Sequence, residues 1–319
     1  MSLTLLTPAQ ILAKLAEKKY PAQQSYLAMY STWWGGIVTE PGLMTVPVDD
    51  HLVHRGDGVF EAIKVVNGRI FLFAEHMRRL EASAAQIGLK LPMSIADVKS
   101  AISETMKVAK VQDALLRLYV SRGPGGFTTN PYDSVGEQLY LVVTTLKLLP
   151  PEKYQEGVSI AKSAVPPKEP AFARIKSCNY LPNVLMKKES VDRGVDFTIN
   201  VDDKGNFLEG STENMVILNK DGVLVRPPLH QILKGTTMMR TFELAEALIK
   251  SGELKSIQES NITEQDIKSA KEVMMIGTTL DVLPVTRYEG QKIGSGVQGP
   301  VAKRLNELVR EDMKNAEQI

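Results

Sequence analysis

The chain has few of the features that mark secreted, membrane-bound and nucleic-acid-binding proteins. Its 319 residues include one cysteine, Cys178, which excludes an intrachain disulfide and suits a reducing compartment. The formal net charge of +1 gives no electrostatic case for binding nucleic acid or an acidic membrane surface. No apolar run approaches the roughly 18 residues of a membrane span, and no signal peptide is recognisable. We therefore expect a cytoplasmic protein without nucleic-acid or membrane partners.

Histidine is also scarce. The four histidines show no metal-ligand spacing, so we expect no metal site. An isolated histidine usually forms structural hydrogen bonds, and we interpret His54 and His76 in this way.

The length predicts about two domains, and a hydrophobic content of 43% is enough for each to have a core. The best candidate for a linker is Leu149-Pro150-Pro151-Glu152. We predict an N-terminal α/β domain over residues 1–148, a linker over 149–154 and a C-terminal α/β domain over 155–319. Strands and helices are mixed and hairpins are frequent, which favours an α+β or mixed α/β fold over a doubly wound parallel sheet.

Residue spacing predicts the main elements of the first half. The first 30 residues read as an appended helix, which Thr7 and Gln10 would cap. Alternation from Val59 predicts a strand, and the three-four spacing over Ala74–Ile87 predicts a helix that Gly88 ends. The other segments predicted to be extended in this half are Ile37–Val48, Arg69–Phe73, Leu115–Ser121 and Leu139–Thr145.

The second half is predicted in the same way. Its predicted strands include Val158–Ala164, Met215–Leu218, Val223–Val225 and Glu272–Ile276. Its predicted helices include Pro182–Arg193, Thr236–Lys250 and Val301–Met313.

One glycine motif is misleading. Gly294–Gly299 matches G-x-G-x-x-G before a predicted helix, but the dinucleotide fingerprint needs a buried strand before it and an acid about 20 residues after it. The residues before Gly294 are polar, and the chain ends at Ile319. We therefore expect no nicotinamide site here.

An amine, an acid and two Gly-Thr turns follow one another in the second half. Lys176 precedes a predicted helix, Glu209 lies at the edge of a Gly/Ser/Thr turn, and the turns are Lys234–Thr237 and Gly277–Thr279. Singly, each has a simpler interpretation as a surface lysine, a turn acid or a helix cap. Together they supply the amine, the carboxylate and the anion-binding amides needed to hold pyridoxal phosphate (PLP).

These residues resemble the fold-type IV PLP enzymes, which are branched-chain aminotransferase, D-amino-acid aminotransferase and aminodeoxychorismate lyase. The resemblance runs from about Gly36 to Arg304 and implies two α/β domains in a homodimer, with the cofactor between the domains. Six segments carry it in family order: His54–Lys64, Glu75–Leu80, Ile175–Leu185, Glu209–Asn214, Leu233–Thr237 and Gly277–Pro284.

The resemblance implies a role for each matched residue. Lys176 would form the Schiff base with PLP and move the proton, and Glu209 would hold the ring nitrogen. Arg79 would bind the phosphate, an interpretation that the resemblance favours over a surface pair with Glu75. The other implied cofactor contacts are Leu233, Thr236, Thr237 and Thr278.

Departures from the family pattern leave the substrate open. Branched-chain enzymes have a tyrosine five residues after the lysine, where this chain has Leu181. The well-known bacterial D-amino-acid enzymes have a carboxylate-binding histidine in the loop after Arg122, which is missing here, and Phe60 replaces their pocket tyrosine. Our candidate substrate contacts are Phe60, Arg122 and Thr279.

The sequence thus predicts an aminotransferase that uses ping-pong Schiff-base chemistry between a 2-oxo acid and an amino acid of the D or branched-chain type. One alternative is an aminodeoxychorismate lyase that releases pyruvate and 4-aminobenzoate. A second alternative is a binding protein that has this fold without the chemistry.

Overall fold

The computed structural model describes residues 3–319. The chain forms two compact units, and each contains its own sheet. The first unit comprises the chain up to Leu146 with Ser177–Asn179 and Glu317–Ile319, and the second comprises Lys147–Lys176 and Tyr180–Ala316.

The first unit is built on an antiparallel sheet. Its strands are β1 (Tyr26–Ser31), β2 (Gly36–Val38), β3 (Gly58–Val66), β4 (Arg69–Ile70), β5 (Ala114–Ser121), β6 (Gln138–Thr145) and, at the end of the chain, β15 (Glu317–Gln318). They lie in the order β15-β4-β3-β5-β6-β1-β2. The long pairing of β3 with β5 sets Gly58 opposite Ser121 and Val65 opposite Ala114. Residues at the start of β3 are therefore hydrogen-bonded to β5.

The helices described in the first unit are α1 (Pro8–Glu17), α2 (His51–Arg55), α3 (Phe73–Gln86) and α4 (Ile95–Ala109). The predicted helix α3 is confirmed: Met77 and Leu80 are buried at helical spacing, and Gly88 follows the helix end with a positive φ of 67°. Helix α4 was not predicted from the sequence.

The prediction of one helix over the first 30 residues is wrong in extent. The capping box of Thr7 and Gln10 is present, but α1 ends at Glu17. Pro21 opens a short 3-10 turn, and Tyr26–Ser31 then forms β1, which pairs with β6. Residues 26–31 form a strand instead of extending the helix because pairing in the sheet buries Ala28 and Met29, whereas α1 buries no residue.

The second unit contains a mixed sheet. Its strands are β7 (Val158–Lys162), β8 (Phe197–Ile199), β9 (Asn214–Leu218), β10 (Val223–Arg226), β11 (Ser256–Glu259), β12 (Glu272–Gly277), β13 (Asp281–Tyr288) and β14 (Gln291–Lys292). Seven lie in the order β11-β10-β9-β12-β13-β7-β8, and β14 pairs with β13. Parallel pairs such as β7 with β8 occur beside antiparallel ones such as β12 with β13. The fold is mixed α/β, as predicted.

The helices of the second unit are α5 (Pro151–Glu156), α6 (Pro170–Ala173), α7 (Leu181–Asp192), α8 (Thr236–Lys250), α9 (Glu264–Ser269) and α10 (Pro300–Lys314). Helix α8 has the predicted bounds. Much of the predicted linker 149–154 is helical, because Pro151 suits the first position of α5 and Tyr154 is buried, with its hydroxyl donating to the Leu280 carbonyl.

The glycine motif at Gly294–Gly299 leads into α10, but a protein carboxylate already fills the anion position there. Glu272 accepts hydrogen bonds from the N–H groups of Val301 at 3.0 Å and Ala302 at 2.7 Å. The strand before the motif, β14, is two exposed residues long. This end of α10 therefore lacks the context of a dinucleotide site.

Across residues 3–319, no helix combines the length and the apolar character needed to span a membrane.

Candidate active site

Lys176 presents a buried amine within the second unit. It follows α6, whose last turn is closed by a hydrogen bond from the Ile175 N–H to the Phe172 carbonyl at 3.2 Å. The lysine is only 8% exposed, and its Nζ lies 5.9 Å from the centroid of the Tyr180 ring. A lysine is rarely buried without a purpose, because desolvation of its charge is costly.

Glu209 presents an acid in the same unit. One of its carboxylate oxygens accepts hydrogen bonds from the protein, and the other, called open below, accepts none from residues 3–319. Its Oε2 accepts from the Leu233 N–H at 3.1 Å and, more weakly, from Asn214 Nδ2 at 3.4 Å. Its Oε1 accepts no hydrogen bond from residues 3–319. The Glu209 backbone is fixed against Asn200, whose side-chain oxygen accepts the Glu209 N–H at 3.1 Å.

The surroundings of Glu209 disfavour its charge. Desolvation raises the pKa of its carboxyl to about 8, although the Leu233 N–H and the charges of Lys168 and Lys176 act in the opposite direction. An acid with this pKa is largely protonated at neutral pH. A cationic group at the open oxygen would reverse the balance and stabilise the carboxylate.

The first Gly-Thr turn is joined to Glu209 through Asn214. The Asn214 amide donates to the Leu233 carbonyl at 2.9 Å, and its oxygen packs against Gly235, where a Cβ would lie 2.0 Å away. Gly235 precedes α8, which begins without a side-chain cap. Thr236 and Thr237 are buried in the first helical turn, where the helix dipole favours an anion.

The second Gly-Thr turn connects β12 to β13. Thr278 and Thr279 are half-buried, and Gly277 pairs with Asp281 at the base of the turn. The hydroxyls of Thr237, Thr278 and Thr279 make no hydrogen bond within residues 3–319. These unpartnered donors suit the oxygens of a phosphate or a carboxylate.

Arg79 belongs to a compact charge cluster in the first unit. Its Nε and Nη2 donate to the two oxygens of the fully buried Glu61 at 2.7 and 2.6 Å, and His76 Nδ1 lies 2.6 Å from Glu61 Oε2. Burial alone would raise the pKa of Glu61, but Arg79 and His76 lower it to about 2. Arg78, by contrast, pairs with Glu75 at 2.8 Å on the surface. The structure therefore gives the two neighbouring arginines different partners.

The remaining candidates also lie in the first unit. Phe60 stacks on Tyr119 with the ring centroids 5.9 Å apart. Arg122 donates to both oxygens of Asp57, at 2.8 and 2.9 Å, and to the carbonyls of Ile87 and Gly88. Four of the five guanidinium N–H groups are thus engaged. Arg122 therefore holds loops together, and these contacts argue against its predicted role as a substrate contact.

Sequence reasoning missed three residues that organise these sites. Asn214 links Glu209 to the first Gly-Thr turn, Glu61 fixes Arg79, and Lys168 contributes charge near Glu209. Asn214 and Glu61 lie inside segments that carry the resemblance, so their polar side chains in those segments were a usable signal. Lys168 lies outside them, and only the structure identifies it.

The residues of the second unit fit PLP. The open oxygen of Glu209 and the raised pKa of its carboxyl suit a protonated ring nitrogen, and Lys176 supplies a buried amine. The unpartnered hydroxyls and the uncapped start of α8 supply donors for the phosphate.

Comparison with known proteins gives a consistent set of matches. The model of the family described as amino-transferase class IV matches residues 58–288. A chloroplastic D-amino-acid transaminase from Arabidopsis thaliana is 37% identical over 92% of this chain and 78% of its own length. A D-alanine aminotransferase from Bacillus licheniformis is 32% identical over 85% of this chain and 93% of its own.

Among solved structures, the T.th. branched-chain amino acid aminotransferase with pyridoxamine 5'-phosphate superimposes with a TM-score of 0.83. The two chains are 25% identical, and the match covers 92% of this chain and 95% of the other.

Proposed function

Because this chain belongs to the class IV aminotransferase family, whose members depend on PLP, we propose that it transfers amino groups between a D-amino acid and a 2-oxo acid. The observation that carries the proposal is that one unit contains both the buried Lys176 and Glu209, whose Oε1 accepts no hydrogen bond within residues 3–319. The lysine amine is the group that retains an aldehyde cofactor covalently, and the acid can hold a protonated ring nitrogen.

When bound, the cofactor supplies an electron sink for the electron pair left at the substrate's α carbon. We propose that Lys176 holds it through its amine and, once the substrate amine has replaced Lys176, moves the proton at the α carbon. Glu209 would hold the ring nitrogen through Oε1. Arg79, Thr236, Thr237 and Thr278 would hold the phosphate, and Leu233 would pack on the ring.

The choice of a D-amino acid rests on similarity. The plant transaminase and the Bacillus enzyme, both named for D-amino acids, are 37% and 32% identical to the chain. A putative branched-chain-amino-acid aminotransferase from Methanocaldococcus jannaschii is 33% identical over 83% of this chain, so the choice depends on the higher identity of the plant transaminase. Phe60 and Thr279 are our candidates for substrate contacts, and the ring stacking of Phe60 on Tyr119 would fix its orientation.

A substrate screen on one preparation tests the proposal. We expect amino transfer from D-alanine to 2-oxoglutarate, little transfer from L-leucine, and no pyruvate from aminodeoxychorismate. Pyruvate from that single substrate without an acceptor would identify a lyase, and preference for L-leucine would identify a branched-chain enzyme. Lys176→Ala should abolish transfer, whereas Lys188→Ala, at an exposed lysine of α7 that pairs with Asp192, should keep it.

We further propose a homodimer that works in the cytoplasm. Support comes from the family resemblance, from a single cysteine, and from α7, where Leu181, Val184 and Val191 are exposed apolar side chains that a partner would cover. Light scattering on the purified protein should give twice the chain mass of 35.2 kDa. A monomer at micromolar concentration would contradict the dimer.

A further inference from the structure

The substrate carboxylate in the proposed reaction needs a cation that the candidates predicted from the sequence do not supply. Phe60 carries no charge, and Thr279 offers a neutral hydroxyl. Arg122 is already engaged, because it donates to both oxygens of Asp57 and to two backbone carbonyls. A carboxylate that leaves water is held best by a charged hydrogen-bond donor. We therefore looked for a further cation near the amine of Lys176.

Lys168 is a cation without a partner in the same unit as Lys176. Its side chain is half-buried, and it makes no hydrogen bond or ion pair within residues 3–319. Lys153 of the same unit is typical of a partly covered lysine, since it pairs with Asp196 at 2.8 Å. An ammonium group that is partly removed from water gains from a negative partner, because desolvation disfavours its charge.

One aromatic ring brings Lys168 close to the reacting amine. Lys168 Nζ lies 4.8 Å from the centroid of the Tyr180 ring, and Lys176 Nζ lies 5.9 Å from the same centroid. The separation of the two amines is therefore at most the sum of these distances, 10.7 Å. A substrate that replaces the Lys176 amine carries its carboxylate on the carbon next to its own nitrogen. The flexible stem of Lys168 can span the remaining distance to that carboxylate.

The backbone on both sides of Lys168 is fixed. Before it, the Ala164 N–H donates to Glu189 Oε1 at 3.0 Å. After it, the Glu169 carbonyl accepts from the Phe172 N–H at 2.8 Å. The three prolines between Ala164 and Phe172 restrict the segment further. The side chain of Lys168 thus extends from an ordered segment, which lowers the entropic cost of binding a ligand.

We propose that Lys168 binds the α-carboxylate of the amino acid and of the 2-oxo acid, as a further substrate-binding residue. The inference rests on the proposed function. An ammonium group supplies three hydrogen-bond donors, and a carboxylate supplies the counter-charge that Lys168 does not find within residues 3–319. Every amino acid and 2-oxo acid carries this carboxylate, so Lys168 serves both halves of the reaction.

The first test measures the KM for D-alanine, whose single carboxylate is the α-carboxylate. Lys168→Met keeps most of the stem and removes the charge, so KM should rise by about 10-fold or more while kcat changes much less. Lys168→Arg keeps the charge, and its KM should stay within about three-fold of wild type. Lys168→Gln, which is also uncharged, gives the same comparison if Lys168→Met folds poorly. An unchanged KM in the uncharged variants would overturn the proposal.

Two inhibitors separate recognition of a carboxylate from a general distortion of the site. Propionate is D-alanine without its amine, and propionamide has a neutral amide in place of the carboxylate. Inhibition of D-alanine transfer by propionate should weaken about 10-fold or more in Lys168→Met, whereas inhibition by propionamide should not change. Equal weakening of both inhibitors would reduce Lys168 to a packing role.

A matched control tests the general loss of a lysine. Lys187 also lies over an aromatic ring of the second unit, with its Nζ 5.9 Å from the Phe197 centroid. Lys187→Met should keep the wild-type KM for D-alanine and the wild-type inhibition by propionate. A loss of affinity in Lys187→Met as large as that in Lys168→Met would overturn the assignment to Lys168.

D-Glutamate shows which carboxylate is bound. A contact with the α-carboxylate raises the KM of D-alanine and of D-glutamate together in Lys168→Met. A rise for D-glutamate alone would assign Lys168 to the side-chain carboxylate and overturn the proposal.

Borohydride reduction keeps the two proposals distinguishable. If wild type carries the reduced cofactor on Lys176 but Lys168→Met keeps the wild-type KM and the wild-type inhibition, the inference about Lys168 fails and the proposed function stands. If wild type itself takes up no label on Lys176, the proposed function fails first.

Discussion

Glu209 is the single residue whose surroundings say most about the chemistry. Its side chain is half-buried, Oε2 accepts from the Leu233 N–H, and Oε1 accepts no hydrogen bond within residues 3–319. A structural acid in such a place would usually be paired, as Glu61 is paired with Arg79 and His76. The contrast between the fully buried, paired Glu61 and the half-buried Glu209 with one unpartnered oxygen supports our assignment of Glu209 to a cationic ligand.

Glu209→Gln should keep the cofactor and lose turnover. Glutamine preserves the shape and can still accept the Leu233 N–H, but it cannot stabilise a protonated ring nitrogen. We expect kcat to fall by about 100-fold or more, which is the scale for losing one electrostatic partner of a reacting group. Steady-state kinetics with matched PLP occupancy make the comparison. Wild-type kcat in the variant would disprove the assignment of Glu209.

Arg79→Ala should weaken PLP binding and also destabilise the first unit. The substitution leaves Glu61 buried with His76 as its remaining partner from the cluster, and loss of one member of a buried pair costs roughly 3 kcal/mol. Fluorescence titration with PLP and thermal melts of the empty protein measure the two effects separately. Unchanged PLP affinity in a folded variant would leave Arg79 with only a structural role.

The low pKa of Glu61 has a consequence for acid stability. The pKa is depressed to about 2 from an ordinary value of 4.5, so the stabilisation is present above pH 4.5 and is lost as the pH falls toward 2. Wild type should therefore lose stability relative to Glu61→Gln between pH 4.5 and 2. Chemical denaturation at several pH values gives this difference, and a flat profile would contradict the ionised cluster.

At the residue scale, the sequence identified the residues with candidate chemical roles more successfully than it identified their hydrogen-bond partners. The resemblance singled out Lys176 and Glu209, and in the structure Lys176 is buried and Glu209 is half-buried. The sequence could not show that Arg122 donates to Asp57 or that Arg79 donates to Glu61, because these partners are 65 and 18 residues apart in the chain. Long-range partners of this kind are decided by tertiary packing.

At the scale of elements, the start of α8 and the turn after β12 supply the hydroxyls that suit a phosphate. A glycine precedes the threonines in each segment, but the space around the two glycines differs. At Gly235 a side chain would strike Asn214, whereas at Gly277 the nearest heavy atom to a Cβ is 3.8 Å away. Only the first glycine is required by close packing.

The two glycines therefore provide a matched pair of variants. Gly235→Ala should push Asn214 away from Leu233 and Glu209, lowering stability by about 1–3 kcal/mol as overpacking does and weakening PLP binding several-fold. Gly277→Ala should fold and bind PLP like wild type. Melting curves and PLP titrations test the pair, and equal behaviour of the two variants would contradict this view of Asn214.

Local patterns predicted some elements well and others not at all. Helix α8 was bounded correctly because its apolar positions recur at helical spacing across its whole length. Strand β13 was missed, since Pro284 argues against a strand interior although it pairs with Met274 in the structure. Strand β1 was assigned to a helix because its partner β6 is more than 100 residues away along the chain.

For the whole molecule, a bound cofactor should add directly to stability. A ligand that binds only the folded chain stabilises it by about 2.7 kcal/mol at 100 times its Kd. We expect Tm to rise with PLP concentration in wild type and to rise much less in Lys176→Ala, which lacks the covalent bond. Thermal melts over a series of PLP concentrations provide the measurement. An equal rise in both proteins would mean that PLP is held elsewhere.

The fold class was predictable from the mixture of strands, helices and hairpins, but the division into units was harder to read. Residues 149–154 look like a linker in the sequence because of their prolines, yet α5 begins among them. The return of Glu317–Ile319 to the first unit has no local signal at all. That contact forms because the unpaired edge of β4 accepts a last strand, and edges are properties of the finished sheet.

The most direct measurement of the central claim is peptide mass spectrometry after the protein has been mixed with PLP and reduced with borohydride. The account predicts that the reduced cofactor is found on the peptide that contains Lys176 and that it is absent in Lys176→Ala. A label on another lysine, or no label in protein saturated with PLP, would contradict it.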